Sequence, residues 1–157
     1  GAEWAAPNRV NVITNSPVEQ SRELIMRYRE IWQRKHGGVP ATRLGMSRHV
    51  VVARTDAEAE ALARPNYAAW YANLTKLWRD FGALPFRFAR DFDEARQRGV
   101  AIAGTPARVR EEIERQVAAS GGNYFVCRMM FGEMPEAAAA ASVDLFAAEV
   151  MPHLASL

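Results

Sequence analysis

Turn and helix-start signals cut this chain into a series of strand–helix units, and that alternation leaves few folds open to it. Short β-rich runs separated by amphipathic helices imply an α/β protein with a parallel sheet, because each parallel strand needs a crossover connection to return the chain. The last unit is the clearest. GVAIAGTP at residues 99–106 leads into a helical pattern that stops at Gly121 and Gly122, followed by NYFVCRMMFG at 123–132. The 157 residues, 49% apolar and 24% charged, suit one soluble globular domain, and no shift in composition marks a second one.

Strands are expected at residues 9–14, 44–53, 100–103 and 124–131. After the first, Ser16 is placed as N-cap, with Pro17 at the first helical position and Glu19 completing a capping box. Leu24, Ile25, Tyr28, Ile31 and Trp32 then recur at helical spacing until Gly37 and Gly38. Thr55 and Glu58 repeat the capping-box spacing, and the helix they start is expected to break near Pro65, which lacks a backbone donor. Residues 66–81 carry Tyr67, Trp70, Tyr71, Leu74, Leu77 and Trp78, a stripe that reads as core or interface, with a ligand wall as the alternative. The Phe- and Arg-rich stretch 82–98 has no clear period and reads as an excursion or lid. Thr105 and Pro106 start a helix with Val109, Ile113 and Val117 on one side, and an Ala-rich helix spans 135–150.

Several function classes fall away. The net charge of +2 is spread along the chain, which gives no basic face for nucleic acid. Cys127 is single, lies in an apolar strand and reads as a buried hydrophobe in a reducing cytoplasm. Neither a signal peptide nor a membrane span of about 20 apolar residues is expected. His36 and His153 lie at helix ends without metal-ligand spacing, so no metal site is expected, and neither a Walker loop nor a dinucleotide fingerprint follows any strand.

In a parallel α/β fold the loops after the strands form the functional face, here residues 14–16, 54–55, 104–105 and 129–133. Ser16, Thr55 and Thr105 sit at helix starts, where they either cap the helix or help bind a phosphate. His49 is the one histidine inside a strand. Alternation puts Ser47 and His49 on one face and Met46, Arg48, Val50 and Val52 on the other, helix-covered face, where Arg48 is awkward. An inward imidazole is either a proton donor to a bound group or a hydrogen-bonded core residue.

Four stretches also carry a family resemblance: GAEWAA with RVNVIT at 1–14, SRHVVVA with TDAEA at 47–59, AGTP at 103–106, and FG through VMP at 131–152. Their order and spacing resemble the C-terminal half of a luciferase-like flavin-dependent monooxygenase. The resemblance implies about four βα units of a TIM (β/α)8 barrel, strands five to eight, with residues 1–157 as a single partial domain. It also implies reduced FMN, or F420 in some branches, a small-molecule substrate oxidised with O2, and a flavin reductase as partner. His49 matches a histidine used near the flavin by alkanesulfonate-type members, while Ser47 stands where those members have an arginine. Thr14, Asn15, Ser47, Gly104 and Thr105 would border the cofactor. Self-association or a complementing N-terminal half is expected to complete the pocket. The competing readings are a non-catalytic half-barrel for assembly or binding, and a flavodoxin-like open sheet.

Overall fold

The computed structural model describes residues 1–83 and 88–154. The elements run α1 (Ala2–Ala5), β1 (Val12–Thr14), α2 (Val18–His36), β2 (Leu44–Val52), α3 (Asp56–Asp80), α4 (Phe92–Gln97), β3 (Ala101–Gly104), α5 (Pro106–Ser120), β4 (Tyr124–Arg128), α6 (Glu136–Glu149) and α7 (Met151–Leu154). The α/β alternation and all four strands stand where the sequence places them. Their ends differ by a few residues: Arg9 is left-handed (φ 58°), so the first strand starts only at Val12.

Every pairing in the sheet is parallel, and β2 is its centre. Gly45 faces both Ile13 and Tyr124, and His49 faces both Ala101 and Arg128. It follows that β1 and β3 succeed one another along one edge of β2 while β4 takes the other. In a barrel segment the strands would neighbour one another in chain order, whereas here β4 joins β2 and not β3 among the described residues. Lengths account for part of this: β1 is three residues long and pairs only Leu44–Met46, which leaves the rest of that edge to β3. Gly45 makes the β4 contact possible, since a Cβ there would lie 1.8 Å from the Tyr124 carbonyl oxygen.

All nine residues of β2 are buried, because helices cover both faces. Val50 and Val52 pack with Ile102, Val109, Ile113 and Leu145 under α5 and α6. Val51, on the opposite face, packs with Ala59, Ala63, Tyr67, Phe92 and Phe131 under α3 and α4. The predicted alternation is therefore observed, and α3 closes over the face expected to be open. A third cluster joins Leu44 to α1 and α2 through Ile25, Tyr28 and Trp32. Arg48 is fully buried on the α5 side, where its Nε donates to Gln116 Oε1 at 2.8 Å. Burial first, then the charge of Arg128, lowers its pKa to about 10.

Three local expectations need correction. Helix α2 begins at Val18 with Pro17 as N-cap, so Ser16 does not cap it; the Ser16 N–H instead donates to Thr14 Oγ1 at 3.0 Å. Helix α3 runs unbroken through Pro65. Pro65 is exposed, Asn66 Nδ2 donates to Leu62 O at 2.8 Å across the same turn, and Tyr67 and Ala63 are locked into one core, so packing overrides the local rule. The stretch 82–98 contains α4, capped by the Asp91 carboxylate; residues 84–87 of the expected excursion lie outside the described residues. Among the described residues no helix is long and apolar enough to cross a membrane.

Candidate functional site

His49 leaves β2 on the α3 side and is 2% exposed. Three rings enclose it: Trp70 at 4.3 Å between centroids, Phe131 at 4.6 Å and Tyr67 at 5.3 Å, all edge-on. The spacing of Ala63, Tyr67 and Trp70 on α3 brings both aromatic side chains down onto the sheet, as the i, i+3 and i+4 geometry requires. Phe131 comes from the segment after β4. There Gly132 takes φ 65°, and a Cβ on it would lie 2.0 Å from Asn66 O, so this turn is held against α3.

Among the described residues the imidazole of His49 forms no hydrogen bond, and its Nε2 is buried without a partner. Burial, and then the nearby Arg128 charge, push its pKa down to about 3. At neutral pH the ring is therefore neutral, with one nitrogen able to donate and the other to accept. Arg128 is the cross-strand partner of His49, so the two side chains share a face of the sheet. Its guanidinium carbon lies 5.7 Å from the centre of the Trp70 ring; the side chain is half-buried, and its Nε is buried without a partner. Tyr67 donates its hydroxyl to Ala89 O at 3.2 Å, and burial raises its pKa to about 12.

These groups open onto a cavity of about 490 Å³. Tyr67, Trp70 and Phe88 supply its aromatic wall, and Asn15, Gln20, His49, Arg98 and Arg128 its polar groups. Among the described residues no carboxylate lines it. Arg98 is paired with Glu94 at 3.3 Å.

Of the residues expected at a site, His49, Asn15 and Ser16 meet here, with Thr14 adjoining in sequence. Ser47 is buried two residues before His49 and does not line the cavity. Gly104 and Thr105 lie elsewhere, at the end of β3. Thr105 caps α5 as the sequence implies, and its N–H donates to Asp56 Oδ1 at 2.9 Å, while Arg108 pairs with Asp56 Oδ2 at 2.8 Å. These bonds hold the Asp56 carboxyl below its usual range, the Thr105 N–H first and Arg108 second. The positive end of α5 therefore carries an anion of the chain's own, and a Cβ on Gly104 would come within 2.8 Å of it. Thr55 forms the expected capping box with Glu58. Arg128, Gln20 and Arg98 were not anticipated. The signal for Arg128 was a lone charge in the apolar run 124–131, which only the β2–β4 register connects to His49.

An aromatic-walled cavity on one face of a parallel α/β sheet is a common setting for a ligand site. The chain belongs to the luciferase-like monooxygenase family, which it matches over residues 3–124. It is 31% identical over 137 residues to the protein y4wF of Sinorhizobium fredii strain NBRC 101917 / NGR234, covering 85% of this chain and 40% of that one. Among solved structures it is similar to the monooxygenase RslO1 from Streptomyces bottropensis, with a TM-score of 0.75 and 25% identity, covering 98% of this chain and 45% of RslO1. Its fold is also that of the oxygenating constituent of 3,6-diketocamphane monooxygenase from Pseudomonas putida, a type II Baeyer–Villiger enzyme solved with FMN. There the TM-score is 0.70 at 21% identity, covering 96% of this chain and 44% of that one. The chain thus spans less than half the length of these relatives.

Proposed function

We propose that this chain supplies one wall of the pocket of a flavin-dependent, luciferase-like monooxygenase that oxidises a small organic substrate with O2 once the barrel is complete. On this reading it corresponds to the C-terminal half of a TIM barrel, in which β4 would leave β2 and pair in chain order once a complementing N-terminal half or a second copy supplies the remaining strands. The observation that carries the assignment is His49: a sealed, neutral imidazole with an unsatisfied Nε2, walled by Trp70, Tyr67 and Phe131. A buried nitrogen without a partner is costly, and a bound polar group in the cavity would satisfy it.

The residues present fit a flavin in part. The cavity volume lies within the range of about 300–1,000 Å³ usual for cofactor and ligand sites, and its aromatic wall suits a flat ring system. Reduced FMN would supply the oxygen chemistry, fed by a separate reductase, and the Pseudomonas relative was solved with FMN; F420 in its place would carry hydride. His49 would hold one hydrogen bond at Nε2, Trp70 and Tyr67 would exclude water, and Asn15 would contact the ligand from the β1 side. Thr14 would border it. Gly104, Thr105 and Ser47 do not line this cavity, so a cofactor contact from them would need a pocket extended beyond it. A cytoplasmic setting accords with Cys127, whose thiol burial pushes up to about 12.

Titration with FMN tests the proposal, with flavin absorbance and tryptophan fluorescence as readouts. Binding in the millimolar range, worth about −4 kcal/mol, is expected of a partial pocket. Trp70→Phe should reduce the fluorescence response. No spectral change at millimolar FMN would count against a flavin site and favour a non-catalytic binding module.

A further inference from the structure

We infer that the His49 cavity takes a ligand that carries an oxyanion beside a flat apolar body, with Arg128 as the anchor of that oxyanion. The inference rests on the cavity being the ligand pocket, and it adds the class of ligand that pocket accepts.

Arg128 differs from the other guanidiniums around it. Arg98 has Glu94, and Arg48, on the opposite face of the sheet, has Gln116. Among the described residues the Arg128 guanidinium forms no hydrogen bond or ion pair and no carboxylate lines the cavity it enters; it lies beside the Trp70 ring, and its charge acts on Tyr67 and His49. Its Nε is buried without a partner while the half-buried guanidinium lines the cavity, and a bidentate oxyanion is the group that best matches that fork of donors. The neighbouring side chain on the same face is His49, which also has no hydrogen-bond partner. Two adjacent polar groups that lack partners thus face one cavity. Trp70 lies beside both, 4.3 Å from the imidazole and 5.7 Å from the guanidinium, and offers an apolar wall to whatever carries the charge.

An oxyanion has two sources here, the substrate or the phosphate of a flavin nucleotide. Arg128→Gln, Arg128→Lys and the wild-type chain would be titrated with benzoate, benzenesulfonate and neutral benzamide, with tryptophan fluorescence as readout and a thermal melt to confirm folding. Benzoate and benzenesulfonate should bind the wild type at least 10-fold more tightly than benzamide. Arg128→Gln should remove that preference while leaving benzamide unchanged, and Arg128→Lys should keep part of it. Competition then separates the sources. Displacement of benzoate by FMN but not by riboflavin assigns the oxyanion to the flavin phosphate, whereas binding of benzoate alongside FMN assigns it to the substrate. Equal binding of benzoate and benzamide, or an undiminished preference in a folded Arg128→Gln protein, would overturn the inference. Benzoate binding without any flavin response would overturn the flavin assignment alone.

Discussion

At His49, burial and the Arg128 guanidinium act in the same direction, and both disfavour the protonated ring. The groups facing it are Arg128 from β4 and Tyr67 from α3; the phenol titrates near 12, so neither changes charge in mild acid. With the folded-state pKa near 3 and the unfolded value near 6.5, the unfolded chain binds the extra proton throughout that interval. Stability is therefore complete above about pH 6.5 and declines as pH falls toward 3. Between pH 8 and 5 the loss should be about 2 kcal/mol, before the carboxylates begin to titrate. His49→Gln should flatten that stretch of the profile, which urea unfolding at a series of pH values would reveal. An unchanged slope would mean that the imidazole is hydrated or partnered in the folded protein. The face of β2 that carries His49 was legible because strand alternation needs only the chain itself. Arg128 was not, because a cross-strand neighbour depends on a register that no local pattern encodes.

Among the elements, β2 and β4 are joined where Gly45 lies against Tyr124. A side chain there meets backbone, which cannot swing aside as a flexible side chain would. Gly45→Ala should therefore cost more than about 3 kcal/mol and loosen β4, carrying Arg128 away from His49. Urea denaturation would measure the loss, and a near-neutral effect would show that β4 can shift at little cost. The caps at Thr55 and Thr105 were legible, since hydroxyl, spacing and proline all act within one turn. At Pro65 the same kind of local rule failed. Tyr67 and Ala63 belong to one buried cluster, and continuing the helix keeps both in it. At Thr105 the cap was legible but its neighbour was not: Asp56 stands 49 residues away in sequence yet occupies the same helix end.

For the whole molecule, the α/β class and the family were both legible, whereas the order of strands was not. Periodicity says that a strand exists and which residues share its face, but the choice of edge is set by lengths and contacts distributed over the fold. The edges that result bear on how the chain behaves in solution. Among the described residues β4 pairs on one side only, and its residues 125–128 are half-buried with Tyr124 37% exposed. On the opposite side Ile13 of β1 is 40% exposed. Parallel edges with unpaired backbone groups and apolar side chains favour pairing with another chain. Although α3 covers the His49 face, the edges themselves remain open, so self-association is expected. Light scattering across a concentration series should show the apparent mass rising, and Val126→Lys, which puts a charge on the β4 edge, should reduce the rise. A constant monomer mass at every concentration would show that β4 is protected by its own neighbours.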